Sequence, residues 1–277
     1  MVQKTRLLII AQDLMPYTDE SELISRIAER IPHVAGQNGM EIRILMPKFG
    51  TINERRHRLH EVVRLSGMNI IVDNDDYPLI IKVASLPGSR IQVYFLDNDE
   101  FFRRKTMFND DDGVPFADNA DRMIFFCKGA LEIVKKFGWS PDIIHCQGFM
   151  TSLIPFYIKT AYMSEPLFRD AKIVASLYDE SYDKHFTGSF NQKASINQLT
   201  AADLAVFQDG DGGIDLRTAM IKYVDGVIVG SESILSNVIE IAEKVGTPVC
   251  PYNEDEYAAV AEYVGFYRSL MAQPVKV

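Results

Sequence analysis

The chain is poor in the features that mark secreted, membrane-spanning or nucleic-acid-binding proteins. Of its 277 residues only three are cysteine, Cys127, Cys146 and Cys250, and they lie far apart. That spacing argues against a disulfide framework and for buried thiols in a reducing compartment. Positive charge is also scarce, since 29 Lys and Arg against 38 Asp and Glu leave a net charge of −9. Surfaces that meet phosphates need clustered cations, so nucleic acid and anionic membrane are excluded as partners. The first apolar run, Leu7-Leu8-Ile9-Ile10-Ala11, stops at Gln12-Asp13. It is too short for a membrane span or a signal segment and reads as a buried strand. These absences place the protein in the cytoplasm. No metal-ligand spacing emerges from the cysteines, and no glycine-rich phosphate loop follows a strand, so neither metal nor cofactor is expected.

What is present is an ordinary globular composition, 47% apolar and 24% charged, in which strand and helix signals alternate. Strands are expected at 6–11, 41–46, 142–146, 172–177 and 226–230. Helices are expected after a cap at Asp19, over 118–136, 152–162 and 216–224, and over two closing segments at 233–245 and 254–271. Alternation of this kind predicts an α/β fold with a doubly wound, mostly parallel sheet. Three short strand signals, 67–72, 79–85 and 91–96, are separated by turn signals at 73–78 and Pro87-Gly88-Ser89. They predict a small β-meander inserted in that frame. No repeat or linker breaks the chain, so 1–277 reads as one domain.

The most informative stretch runs from Pro141 to Pro155 (PDIIHCQGFMTSLIP), an apolar strand passing through a glycine-containing turn into an apolar helix. It resembles a signature of glycogen and starch synthases, in which a strand ending in His precedes a His-Asp-Trp turn and Thr-x-Leu-x-Pro. Other pieces follow in the same order: Pro47-Lys48-Phe49-Gly50, Asp118-Asn119-Ala120-Asp121-Arg122, Trp139-Ser140-Pro141-Asp142, and Leu216-Arg217-Thr218 through Tyr223-Val224-Asp225 to Ser231. The resemblance covers nearly the whole chain. It implies a Rossmann-like domain, the N-terminal half of a two-domain GT-B glucosyltransferase acting from ADP-glucose, with the C-terminal half absent.

At the positions that carry the family's chemistry, the residues differ. Where the family has Lys-x-Gly-Gly-Leu to hold the donor diphosphate, this chain reads Asp19-Glu20-Ser21-Glu22-Leu23. Three carboxylates at a helix N-terminus suit the dipole as caps but repel a diphosphate. The family's Asp-Trp-His or Asp-Trp-Gln becomes Gly148-Phe149-Met150. Its Thr-x-His-Asn becomes Ser176-Leu177-Tyr178-Asp179, and a tyrosine presents no imidazolium. Asp19, Gly148, Tyr178 and Asp179 are therefore degenerate family positions, and no residue is assigned a catalytic role. His145, Gln147, Asp118 and Asn119 remain candidates to face a ligand, His145 being either a ligand contact or a hydrogen-bonded structural residue.

Blander readings hold elsewhere. Arg55, Arg56 and Arg58 read as a solvated face. The acidic runs at 73–76, 109–112 and 209–213 read as turns, without the ligand periodicity of a calcium loop. Phe95, Phe101, Phe102, Phe108 and Phe116 read as core rather than as sugar platforms. The expectation is a synthase-like domain, inactive alone, that binds α-glucan or serves as a regulatory partner protein, with homo-oligomerisation left open. The alternative is a reduced glucosyltransferase completed by a separate subunit or using another donor. The sequence leaves open whether the protein is an enzyme.

Overall fold

The computed structural model describes residues 4–18, 22–187 and 189–273, with Glu22 described by its backbone alone. Strand β1 (Arg6–Ala11) leads through helix α1 (Glu22–Gln37) to β2 (Glu41–Pro47). A short α2 (Glu54–His57) precedes β3 (His60–Glu61), β4 (Met68–Val72), β5 (Asp75–Ser85) and β6 (Gln92–Asp97). Then come α3 (Asp99–Phe102), the long α4 (Asn119–Phe137), β7 (Ile143–Gln147), α5 (Leu153–Lys159) and β8 (Lys172–Leu177). The chain continues through α6 (Phe190–Lys193), α7 (Leu216–Lys222), β9 (Gly226–Val229), α8 (Leu235–Val245), β10 (Val249–Cys250) and α9 (Glu256–Met271).

The strands lie in the order β10-β9-β8-β7-β1-β2-β6-β5-β3, with β4 paired to β5. From β10 to β6 every pairing is parallel, and β5 then runs antiparallel to β6, β3 and β4. The central strands β7, β8 and β9 are buried along their whole length, as a parallel sheet covered on both faces requires. The expected doubly wound α/β frame is therefore present.

The β-meander is corrected in one respect. The expected third strand, β6, pairs in parallel with β2 and belongs to the frame itself. What extends the edge is the β4–β5 hairpin together with β3. Asp73, in the left-handed region at φ 57°, turns the hairpin, a conformation Asp tolerates better than most residues. β5 also begins earlier than expected and runs through Pro78, so Asp75 and Asp76 are strand rather than turn residues.

Two consequences position the site. The sheet order reverses between β1 and β7, and ligands of such sheets bind outside the strand C-termini at that reversal. The closing helix α9 packs on α1, with Arg26 and Arg30 paired to Glu256, and lies over the sheet. A Cβ on Gly226 of β9 would sit 2.7 Å from both Leu270 and Phe266. No helix among the described residues is long and apolar enough to cross a membrane.

Candidate functional site

At the reversal, β1 leads into Gln12-Asp13 and β7 into Gly148, which adopts φ 79° and ψ 168° before a 310 turn, Phe149–Thr151. Only glycine populates that region readily. It is also the only residue that fits, because an added Cβ would lie 2.2 Å from the Gln12 Cδ atom. The Gln12 side chain therefore occupies the space that a larger residue at 148 would fill.

From there Gln12 Nε2 donates to Glu180 Oε1 at 2.6 Å, while its Oε1 accepts from the Met150 N–H at 3.3 Å. The Phe149 N–H donates to the other Glu180 oxygen at 3.0 Å. Burial pushes the Glu180 carboxyl up to about 7. The two hydrogen bonds oppose that rise, and the nearby Asp13 and Asp183 add to it. Asp13 is itself buried and accepts the Thr18 hydroxyl.

Glu180 borders three adjoining cavities. The largest, about 520 Å³, runs between Leu23 and Ile24 of α1, Pro115 of the loop before α4, and the 178–185 segment. A second of about 340 Å³ continues toward Asp183, Asp215 and Arg217. Both fall in the size range of small-molecule sites. A third cavity, of about 40 Å³, is lined by Phe149 and Tyr182, whose rings lie 4.5 Å apart and tilted by 32°. Phe108 supports both rings from behind, at 5.0 and 5.2 Å.

The predicted positions fall into two groups. Gly148, Tyr178 and Asp179 meet at the crevice. Tyr178 is buried with its ring over Gly230, where a Cβ would come within 2.3 Å of it. Burial raises its phenol well above the usual value. Asp179 lines the large cavity and accepts the Ser233 hydroxyl at 2.8 Å.

The other candidates do not face the crevice. His145 is fully buried, with Nδ1 2.7 Å from the Tyr267 hydroxyl and Nε2 2.7 Å from the Ser176 hydroxyl. Burial lowers its pKa to about 3, so it is a neutral, structural residue. Gln147 is fully buried, and its amide makes no hydrogen bond. Asp118 grips Arg104 through two bonds, and Asn119 holds the Phe108 carbonyl and the buried Arg122. Asp118 and Asn119 thus brace the loop that carries Phe108. Asp19, with Glu20, Ser21 and the Glu22 side chain, lies outside the described residues. Among the described residues no group of three or more His, Cys, Asp or Glu could hold a metal ion.

Gln12 and Glu180 escaped the sequence reading. The rule that α/β ligands gather at strand C-termini would have found both, since each follows a parallel strand within three residues.

The profile of the starch synthase catalytic domain matches residues 6–247. The chain belongs to that family. The glycogen synthase of Chlorobium limicola is 38% identical over 235 residues, which cover 82% of this chain and 48% of that protein. The glycogen synthase of Pelodictyon phaeoclathratiforme is 39% identical over 175 residues, covering 63% and 36%. The chain therefore spans about half or less of these curated relatives. Among solved structures, the catalytic domain of Starch Synthase IV from Arabidopsis thaliana, bound to ADP and acarbose, superposes with a TM-score of 0.68. Identity there is 16%, and the match covers 96% of this chain and 50% of the other. That likeness establishes the shared Rossmann-like fold of a GT-B synthase.

Proposed function

We propose that this synthase-family domain binds neutral α-glucan in its strand-end groove, no longer binds a nucleotide-diphosphate donor, and works in the cytoplasm as a partner or regulator in polysaccharide metabolism. The observation that carries the reading is the charge of the large cavity. Its described lining includes Asp179 and Glu180 and no Lys or Arg, while Lys184 and Arg217 line only the smaller neighbouring cavities. A diphosphate seeks cations and free backbone N–H groups. Unit charges of like sign about 6 Å apart repel by about 3 kcal/mol at an effective dielectric constant near 20, which is roughly a hundredfold in affinity. A glucan carries hydroxyls instead, and each one donated to a carboxylate contributes about 1.5–3 kcal/mol. Tyr182, which lines the large cavity and packs on Phe149, adds an aromatic face of the kind that sugar rings pack against.

Isothermal titration with maltoheptaose, ADP-glucose and ADP tests this. Heat with maltoheptaose and none with either nucleotide is the expected result. Micromolar binding of ADP-glucose would overturn the claim that donor recognition is lost and restore the working transferase. Binding of neither sugar nor nucleotide would overturn the glucan reading in favour of a protein partner alone.

A further inference from the structure

We infer that Glu180 is the residue that selects hydroxyl-bearing ligands in this groove, that Gln12 positions it, and that ligand binding is coupled to the Glu180 proton. This rests on the glucan reading above, and it goes beyond it by naming the recognising group and its control.

The Met150 N–H can only donate, so the amide oxygen of Gln12 must face it and the amide NH₂ must face Glu180. Gln12 cannot flip without setting two donors against each other. The Phe149 N–H is likewise a fixed donor to the second carboxylate oxygen. An ionised carboxylate has about four acceptor sites. Two are filled from behind, and the rest remain for the cavities that Glu180 borders. The ionised carboxylate thus offers acceptors only on its open side, which suits sugar hydroxyls and disfavours phosphate oxygens against it.

Protonation turns one of those acceptors into a donor and weakens the charge-assisted bonds. Glu180 titrates near 7, so this exchange takes place close to neutral pH. The charged groups around it are Asp13 after β1, Asp179, Asp183, Lys184 and His185 in the segment after β8, and Asp215 and Arg217 at the start of α7. Asp13 and Asp183 favour the protonated form of Glu180, while Arg217 acts chiefly on Asp183. If only the ionised form takes the ligand, apparent affinity scales with the ionised fraction, and it falls about tenfold from pH 8 to pH 6.

The experiment is maltoheptaose titration from pH 6 to 8.5 on the wild type, Glu180→Gln and Gln12→Leu, with a parallel carbon-13 titration of the Glu180 carboxyl. Wild-type affinity should rise about tenfold between pH 6 and 8. Glu180→Gln should bind weakly and without that slope. Gln12→Leu removes a bond that favours the charged form, so the carboxyl midpoint and the binding midpoint should both move up in pH. Maltoheptaose bound with pH-independent affinity, or a slope that survives Glu180→Gln, overturns the coupling while leaving the glucan reading intact. Absence of binding at every pH overturns the glucan reading and ligand selection with it. The carboxyl titration then decides the Gln12 claim by itself, and a midpoint unmoved in Gln12→Leu overturns it.

Discussion

Replacing Gly148 with alanine probes the tight turn at which the Gln12 side chain enters the crevice. Two costs combine. The backbone at φ 79° and ψ 168° is a region that residues with a side chain occupy at roughly 1–3 kcal/mol. The new Cβ also meets Gln12 Cδ at 2.2 Å and its Oε1 at 2.2 Å, so the glutamine has to leave. Its departure removes the bond to the Glu180 carboxylate and leaves the buried Met150 N–H unpaired, together about 2 kcal/mol or more. The expected destabilisation is about 3–5 kcal/mol. At roughly 2–4 °C per kcal/mol for a chain of this order of size, that is a drop in Tm of about 6–20 °C.

Urea unfolding of a double-mutant cycle separates the two causes. A Gln12→Ala background removes the three atoms nearest the new Cβ, because all of them lie beyond the glutamine Cβ. Gly148→Ala should then cost only the backbone term, about 1–3 kcal/mol, and the cycle should return a coupling of about 2 kcal/mol. An equal cost in both backgrounds, or a cost below about 1 kcal/mol in the wild type, would refute the claim that Gly148 exists to admit Gln12.

Further outcomes concern charge and support. Glu180 has a folded-state value raised from 4.5 to about 7, so the stability from its protonated form is full below pH 4.5 and is lost as pH rises through 7. The unfolding free energy of Glu180→Gln relative to the wild type, from urea titration, should therefore improve by about 1–3 kcal/mol from pH 5 to pH 8, and a constant difference would contradict the shift. His145 is depressed from 6.5 to about 3, so its contribution is present above pH 6.5 and lost as pH falls toward 3. His145→Phe should be less stable at pH 8, through the lost Tyr267 and Ser176 bonds, yet show a shallower acid limb in thermal scans. The fully buried Arg122 donates to the Phe101 and Met107 carbonyls at 2.7 and 2.6 Å. Arg122→Met should cost about 3 kcal/mol or more and speed hydrogen exchange across 101–116, and unchanged exchange there would show that the loop is held by other groups.

The frame was legible because its cause is local. β1, β7, β8 and β9 are short, unbroken apolar runs flanked by polar turns, and a strand covered on both faces leaves that trace in any sequence. Strand direction leaves no such trace. β6 was assigned to a meander because an apolar run reads the same whether its neighbour is parallel β2 or antiparallel β5, and here it has both. β10 is two residues long and gives no periodic signal. The site was legible as a set of departures and illegible as a set of contacts. Gly148 stood out where the resembling family has aspartate, but what calls for glycine there is Gln12, which follows another strand 136 positions away. His145 stood open between two roles until Tyr267, 122 positions on, supplied the second hydrogen bond.

Those distant partners bear on whether the crevice has simply decayed. Random loss of a binding site would leave the space of the inherited residues unfilled. Here two departures are matched in packing by a second residue, while the buried Gln147 amide and Tyr178 hydroxyl keep no hydrogen-bond partner. The glycine at 148 is filled by Gln12, whose amide is bonded at both ends. The tyrosine at 178 lies over Gly230, where any Cβ would collide with its ring. Glu180 then receives two donors and still borders open cavities on its remaining side. A carboxylate held from behind and left open in front costs stability at neutral pH, as its raised titration shows. Groups kept against stability are the expected mark of a binding surface, which favours a crevice rebuilt for a neutral, hydroxyl-bearing ligand over one abandoned.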